Sequence, residues 1–184
     1  MTSRKPTTMF TFSQLILIIT TLTTALIGGL FYAWSCSVIP GLARVADHTY
    51  LESMQQINRA ILNPLFFLSF MGTTLLLPLC TYLHYSPALP VRFWLLLVAS
   101  LLYICGTFGV TAFGNVPLNN MLDTFDLTTA SATALAGMRR KFEHPWVYLH
   151  NIRTVANLLA LLLVIIACLT PIPDRESITD SFRP

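Results

Sequence analysis

The sequence predicts an all-α, polytopic membrane protein that folds as a bundle of four transmembrane helices. Of its 184 residues, 54% are hydrophobic and only 10% are charged, whereas about a quarter of the residues in a soluble domain are charged. Charged residues are also absent from four long runs, at 6–43, 60–91, 93–122 and 154–173. Because about 20 apolar helical residues cross the roughly 30 Å hydrocarbon layer, each run is long enough to form one span.

We expect the whole chain to form a single integral membrane domain. The predicted helices lie at roughly 13–39, 57–83, 91–114 and 147–170, and the predicted polar tails at 1–12 and 171–184. A cleaved signal peptide is the alternative for the first run, because Arg4 and Lys5 precede it. Its apolar part continues for about 25 residues, which favours a full membrane span.

Four crossings place both termini on one face, the terminal face, and the stretches 40–56 and 115–146 on the opposite loop face. If Arg59 and Arg153 point into the bundle, four basic residues remain on the loop face against five on the terminal face. The positive-inside rule then favours cytoplasmic termini in the cell membrane.

The charge pattern also bears on partners. The net charge is only +3, and no basic block is longer than three residues, so we expect no nucleic-acid partner. The expected partners are membrane lipids, an apolar aromatic or quinone-type molecule and further copies of the chain.

Small residues recur every four positions on the first helix, at Ala25, Gly29, Ala33 and Ser37. Such a ridge predicts a face along which another helix backbone approaches closely. Gly106, Gly109 and Gly114 suggest a similar role on the third helix.

Polar side chains concentrate at the loop-face ends of the second, third and fourth helices. They are Gln55, Asn58, Arg59 and Asn63 on the second helix, Thr111, Asn115 and Asn119 on the third, and His150, Asn151, Arg153, Thr154 and Asn157 on the fourth. Singly, an arginine near a helix end reaches the lipid headgroups and an asparagine bonds a neighbouring helix. An arginine at a helix centre costs roughly 3 kcal/mol on insertion scales, so a cluster on three helices predicts an inward-facing pocket. The candidate apolar walls of this pocket are Phe31, Tyr32, Trp34 and Phe66.

A metal site is the alternative for the loop face. His48 and Glu52 are four residues apart, and Glu143, His144 and His150 belong to the same face. No pair has a diagnostic ligand spacing and no cysteine joins them, so we assign no metal ligand, although their convergence stays open.

Four ordered segments carry a family resemblance. They are Gly29-Leu-Phe-Tyr-Ala-Trp-Ser through Ile39-Pro40, Met54-Gln-Gln-Ile-Asn-Arg59 with Asn63-Pro64, Asn115-Val-Pro-Leu-Asn119, and Trp146 with Asn151-Ile-Arg153-Thr154. Over about residues 13–170 the chain resembles the anthrone-oxygenase-like family of small integral membrane proteins, many of which are labelled only as a domain of unknown function. The resemblance implies a four-helix membrane bundle. For some fungal polyketide-pathway members it also implies oxidation of an anthrone to an anthraquinone by molecular oxygen.

The residues suggest how such a site would work. Loss of a proton from an anthrone methylene leaves an electron-rich anion that reacts with oxygen directly, so we expect no cofactor. We assign Arg153, Asn151 and Asn119 as catalytic, with the arginine stabilising the anion and the amides orienting its oxygens. We assign Arg59, Asn63, Asn115, Asn157 and Trp34 to substrate binding, with Arg59 as a second group that stabilises the anion. His150 is a candidate acceptor for the proton.

Two alternatives to an oxygenase remain at this stage. The first is a non-catalytic lipid- or quinone-binding module, or an accessory subunit in which the same cavity holds a partner helix. The second is a transporter, for which four helices without inverted repeats are a thin scaffold.

Overall fold

The computed structural model of the chain describes residues 11–85 and 90–170, which form helices without any β-strand among them. In chain order the helices are α1 (Phe12–Ala33), α2 (Ile39–Leu42), α3 (Asp47–Ala60), α4 (Pro64–Leu83), α5 (Pro90–Leu101), α6 (Val116–Asp123) and α7 (Ala132–Leu169). Three π-helical segments join neighbouring helices, at Trp34–Val38, Leu102–Gly109 and Thr111–Asn115. The predicted polar tails lie outside the described residues, apart from Thr11 and Phe12.

Four continuous helical stretches are long and apolar enough to cross a membrane. These are the first to fourth spans, at Phe12–Leu42, Pro64–Leu83, Val91–Asp123 and Ala132–Leu169. Large apolar side chains such as Leu22, Leu75 and Leu162 are exposed on their outer faces, as lipid-facing side chains are. The predicted fold class and the predicted number of spans are therefore confirmed.

The four spans form an antiparallel ring in which each span packs against two neighbours. The first and third spans both pack against the second and the fourth. Thr21 Oγ1 lies 3.6 Å from Cys168 Sγ, which joins the start of the first span to the end of the fourth. Arg92 Nε donates to Thr170 Oγ1 at 2.8 Å, so the third span also starts at this terminal face.

The segments of the loop face pack together as predicted. Tyr50, on α3, and Phe142, on α7, belong to one buried apolar cluster. Arg139 connects the same elements, because its Nη1 donates to Val45 O at 2.7 Å and to Asp47 Oδ1 at 3.0 Å. The loop-face segments thus form a small second apolar core at the end of the bundle.

The second span begins at Pro64, whereas the sequence predicted a start near residue 57. The amphipathic helix α3 ends at Ala60, and Asn63 is extended with φ −124° and ψ 160°. The Asn63 side chain accepts from Phe66 N at 3.1 Å, and Pro64 occupies the first turn of α4. An N-cap asparagine followed by proline starts a new helix, so α3 and α4 are separate elements.

The third and fourth spans are longer than predicted. Pro117 lies in the first turn of α6, where a proline is tolerated, so the third span continues past residue 114 to Asp123. Ser131 Oγ accepts from Ala134 N at 3.2 Å and starts α7, which also contains Pro145. The predicted start of the fourth helix near residue 147 is therefore too late, and residues 139–143 lie on the part of α7 that packs in the loop-face core.

The position of Arg59 alters the number of basic residues on the loop face, which bears on the orientation of the protein in the membrane. Its side chain is about half exposed on the loop face, whereas Arg153 is buried, so the expectation that Arg59 points into the bundle is wrong. The loop face therefore carries five basic residues outside the bundle, and the terminal face also has five by sequence. Equal numbers remove the charge difference that favoured cytoplasmic termini.

The close contact on the first span is made by Gly28 rather than by the predicted ridge. A Cβ on Gly28 would lie 2.7 Å from Asn157 Oδ1, whereas a Cβ on Gly29 would have nothing within 4 Å. Gly29 is exposed, so the ridge that contains it faces outwards. On the third span the prediction holds, because a Cβ on Gly106 would lie 2.5 Å from Ala156 Cβ.

We expect Gly28→Ala to destabilise the bundle and Gly29→Ala to leave it unchanged. The added methyl group at position 28 overlaps the buried Asn157 side chain, and overpacking of this kind costs about 1–3 kcal/mol. Thermal unfolding of both variants in the same detergent, followed by size-exclusion chromatography of heated samples, measures the difference. Equal melting temperatures for the two variants would contradict the contact between the first and fourth spans.

Candidate functional site

Arg153 is buried in the middle of the fourth span and has no ion pair with any residue in the ranges 11–85 and 90–170. It is 8% exposed, and its Cζ lies 4.5 Å from the centre of the Phe31 ring and 5.2 Å from that of Trp146. Aromatic faces attract a cation through the ring quadrupole, and the attraction is stronger where water is excluded. The guanidinium is thus held by two rings rather than by a carboxylate.

His150 holds Arg153 from the preceding turn of the same helix. Its Nδ1 lies 3.1 Å from Arg153 Nη2, and a guanidinium only donates, so Nδ1 accepts. On the other side, Nε2 lies 3.0 Å from Ser35 Oγ and 3.3 Å from Thr154 Oγ1. Both hydroxyls donate to backbone carbonyls of their own helices, so they accept from Nε2–H. The hydrogen bonds therefore assign a neutral imidazole with its proton on Nε2.

The π-helical segments lie beside this arginine. The segment Trp34–Val38 carries Trp34, whose ring centroid lies 5.3 Å from that of Trp146, and Ser35, which contacts His150. The segment Thr111–Asn115 begins at Thr111, whose hydroxyl lies 3.4 Å from Arg153 Nη1. π-Helical turns change the register of side chains along a helix and are frequent at functional sites. Here they place Thr111 beside the guanidinium, and Trp34 and Ser35 beside the residues that hold it, Trp146 and His150.

A cavity of about 80 Å³ opens beside Arg153. Its lining residues are Leu30, Phe31, Trp34, Ile57, Asn58, Ile61, Leu62, Phe66, Thr111, Val116, Asn119, Trp146 and Arg153. Asn58 Nδ2 is buried without a hydrogen-bond partner among the described residues. Asn119 Oδ1 accepts from Trp146 Nε1 at 2.8 Å, which leaves its Nδ2 group to donate elsewhere. One cation and two amide donors thus line an aromatic cavity with no carboxylate among its lining residues.

A vestibule of about 110 Å³ adjoins the cavity on the loop face and shares Asn58, Leu62, Val116 and Asn119 with it, so the exposed apolar edge of the cavity also borders the vestibule. At its rim Arg59 Nε lies 2.6 Å from Asp123 Oδ1, and both side chains are about half exposed. The vestibule therefore offers a route for water or protons between the cavity and the loop face. The apolar Leu62, 64% exposed, lines the cavity on its outer side.

The structure brings together only some of the predicted site residues. Arg153, Asn119 and Trp34 line the cavity, as do the predicted walls Phe31 and Phe66. Tyr32, the fourth predicted wall, is 61% exposed and does not line it. Asn115 and Asn157 are buried inside the bundle but do not line it; Asn115 Nδ2 donates to Trp146 O at 3.2 Å. Arg59 lines the vestibule.

Two further predicted residues lie elsewhere. Asn63 caps α4, with its Oδ1 on Phe66 N and its Nδ2 on Ala60 O, so its amide is used by the backbone. Asn151 is exposed on the outer face of the fourth span. Residues two apart on an α-helix point in directions that differ by about 200°, so Asn151 and Arg153 face opposite ways.

Asn58 belonged to the predicted polar cluster, but no role was assigned to it. The signal was present in the sequence, because Gln55, Asn58 and Arg59 share one side of α3. The two neighbours are otherwise engaged, since Gln55 Nε2 donates to Leu122 O at 2.8 Å and Arg59 pairs with Asp123. Only the tertiary structure shows which of the three polar groups reaches the cavity.

The residues of the alternative metal site do not come together in the described part of the chain. Within the described residues, no three histidine, cysteine or acidic side chains lie close enough to share an ion. His48 and Glu52 form an exposed pair at 3.7 Å. His150 is buried beside Arg153, whereas His144 is exposed.

These features define a four-helix bundle of membrane-spanning type with a buried, ring-clamped arginine at an aromatic cavity. The family model described as anthrone oxygenase matches residues 66–163. The chain belongs to the anthrone oxygenase family, which confirms the resemblance seen in the sequence. The matched region contains Arg153, Asn119 and Trp146, whereas Phe31, Trp34 and Asn58 come from the part before it. A search of curated proteins and a search of solved structures gave no match.

We expect a hydroxyanthraquinone to bind in the cavity and to quench the fluorescence of Trp34 and Trp146, because both rings line it. Asn58→Ala removes one unpaired amide donor and should weaken binding about fivefold, the value of one hydrogen bond near 1 kcal/mol. Gln56→Ala, an exposed amide on the same helix, is the matched control. Trp94→Phe should keep the quenching, since Trp94 lies near the terminal face. Equal affinities of the Asn58 and Gln56 variants would show that the ligand does not bind at this cavity.

Proposed function

We propose that this protein is a membrane oxygenase that oxidises a flat, apolar, anthrone- or phenol-type substrate with molecular oxygen. The observation that carries the proposal is the Arg153 guanidinium, buried beside an aromatic cavity and free of any carboxylate partner in the described part of the chain. Such a group is suited to an anion that forms during the reaction, because no side chain already neutralises it. Membership of the anthrone oxygenase family supports the same reaction class.

The chemistry balances without an added electron donor. Removal of a proton from the anthrone methylene gives an anion whose negative charge is shared with the carbonyl oxygen. Oxygen takes electrons from this anion and forms a carbon–oxygen bond at the former methylene carbon. Loss of the second methylene hydrogen and cleavage of the oxygen–oxygen bond then give the anthraquinone and one water. Anthrone and one O₂ therefore become anthraquinone and water.

The cavity residues have distinct roles in this reaction. Arg153 stabilises the oxyanion, and the amides of Asn58 and Asn119 donate hydrogen bonds to the substrate oxygens. Phe31 and Trp34 provide apolar surfaces for the rings. His150 does not line the cavity, and its Nδ1 is used by Arg153, so we assign it to positioning the guanidinium rather than to accepting the proton. We assign water in the vestibule as the acceptor of the proton. The proton returns when the oxygen–oxygen bond breaks, so both methylene hydrogens end in the water that is formed.

Substrate entry requires movement at the cavity mouth. The cavity holds about 80 Å³, whereas ligand pockets usually have about 300–1,000 Å³. Leu62 and Val116 form its exposed apolar edge, and Leu62 lies in the short connection between α3 and α4. We propose that a substrate dissolved in the lipid enters here by displacing these two side chains.

Arg153→Lys should lower the rate of oxygen uptake about a hundredfold. A lysine keeps the charge but loses the planar group that lies between Phe31 and Trp146, and loss of such a donor costs on the order of 3 kcal/mol. Arg44→Lys, on the exposed loop face, is the control and should match the wild type. The assay follows oxygen uptake with anthrone in nanodiscs, corrected for the rate in nanodiscs without protein.

Two results would change this proposal. A fully active Arg153→Lys protein would remove the role of the guanidinium in stabilising the anion. A folded wild type that binds the anthraquinone but consumes no oxygen above the background would favour the second candidate, a quinone-binding module. The cavity's donors and aromatic walls suit a quinone equally well, so binding alone does not distinguish the two functions.

A further inference from the structure

The cavity beside Arg153 carries one positive charge that its walls do not neutralise. Arg153 is buried and forms no ion pair within residues 11–85 and 90–170. The residues that line the cavity include no aspartate or glutamate. Burial of a charge without a partner of opposite sign is costly, so this charge favours the binding of a counter-ion. The cavity therefore attracts an anion independently of the substrate.

The guanidinium keeps hydrogen-bond donors for such a ligand. Its Nη2 and Nε lie 3.1 Å and 3.4 Å from His150 Nδ1, and its Nη1 lies 3.4 Å from Thr111 Oγ1. A guanidinium has five N–H groups, and these contacts within the described part of the chain use three of them. Two N–H groups are thus left to bind a ligand.

Two amides add donors on the other side of the cavity. Asn58 Nδ2 is buried without a hydrogen-bond partner among the described residues. Asn119 Oδ1 accepts from Trp146 Nε1 at 2.8 Å, so its Nδ2 group remains to donate. Both residues line the cavity. These free groups are donors, and donors together with a positive charge suit an acceptor that carries negative charge.

The size of the cavity limits the kind of anion that it holds. Its volume is about 80 Å³, and one water molecule takes up about 30 Å³ of the liquid. The cavity therefore has room for a small ion with one or two waters, whereas a three-ring substrate requires Leu62 and Val116 to move. A single guanidinium balances a single negative charge. Both size and charge thus select a monovalent inorganic anion.

The vestibule connects this position with water on the loop face. It shares Asn58 and Asn119 with the cavity, so the same two amides border both spaces. At its rim the charges of Arg59 and Asp123 offset each other, because Arg59 Nε lies 2.6 Å from Asp123 Oδ1. An anion from solution therefore meets no uncompensated negative charge among the residues that line this route.

The depth of Arg153 in the membrane is small enough for an aqueous ion to reach it. The fourth span ends at Leu169, and about 20 helical residues cross the hydrocarbon layer, so the loop-face boundary falls near residue 150. Arg153 lies about 5 Å inside this boundary, at 1.5 Å per residue. The vestibule covers this short distance.

We propose that the cavity binds one small monovalent anion, such as chloride, which the substrate displaces. Arg153 supplies the positive charge, and the amides of Asn58 and Asn119 donate hydrogen bonds to the ion. The inference rests on the proposed function only in placing the substrate in the same cavity. The ion offsets the buried charge between turnovers and competes with the oxyanion that forms from the substrate. Chloride is therefore a competitive inhibitor of the site.

Line broadening in the NMR spectrum of chloride measures this binding on the full-length protein in detergent, without oxygen or anthrone. We expect the wild type to broaden the chloride line in a saturable manner, and Arg153→Gln to abolish the effect. Asn58→Ala should weaken binding about tenfold, because a hydrogen bond to a charged group is stronger than one between neutral groups. Gln56→Ala and Arg44→Gln, which change exposed residues, are the matched controls and should bind as the wild type does.

A second measurement tests whether the ion and the aromatic ligand share the cavity. Hydroxyanthraquinone binding is followed by tryptophan fluorescence in sodium chloride and in sodium gluconate of equal ionic strength. We expect the apparent Kd for the anthraquinone to rise linearly with the chloride concentration. Gluconate is too large for the cavity and should leave this Kd unchanged.

Three results would overturn the proposal. Absence of saturable broadening in the wild type would show that the cavity binds no chloride. Equal chloride affinities of the Asn58 and Gln56 variants would place the ion on the protein surface, and this comparison holds even where Arg153→Gln does not fold. An anthraquinone affinity that is independent of chloride would place the ion outside the cavity. By contrast, competitive chloride binding in a wild type that consumes no oxygen would support the anion site and remove only the oxygenase.

Discussion

The organisation of the bundle depends on one buried guanidinium that is stabilised without a carboxylate. Arg153 has Phe31 on one side, Trp146 on another, and His150 behind it. Removing a guanidinium from water is costly, and the aromatic faces and neutral acceptors offset part of that cost while leaving the charge unpaired. A carboxylate in the same place would make the bundle more stable, but it would leave the site unable to attract an anion.

The other structural features of the site follow from the need to surround this group. The first span becomes π-helical at Trp34, which brings Trp34 and Ser35 to the fourth span, and the third span becomes π-helical before Thr111 reaches the guanidinium. Close approach of the backbones at Gly28 and Gly106 brings the first and third spans against the fourth. The loop-face helix α3 closes the cavity with Asn58. Residues from all four spans and from α3 therefore line or support a single cavity.

The segment Asn151-Ile-Arg153 serves two surfaces of the same helix. Arg153 faces the cavity inside the ring of spans, whereas Asn151 is exposed on the outer face of the fourth span. The fourth span lies between the cavity and the lipid, so one of its polar groups points inward to the cavity and the other points outward. Asn151 and Arg153 are therefore close in sequence but do not belong to one site, because they lie on opposite faces of the helix.

The sequence by itself determined the fold class, the four spans and the joint position of the loop-face segments, because uncharged runs of span length have few other structures available to them. It also placed Arg153, Asn119 and Trp34 at one end of the bundle. The tertiary structure decided which of the polar residues meet. Arg59 points outward and pairs with Asp123, Asn63 caps helix α4, and Asn151 faces away from the cavity. Helical periodicity fixes the angles between residues on one helix, but the rotation of each helix about its own axis, and its register after a π-helical turn, depend on packing against the others.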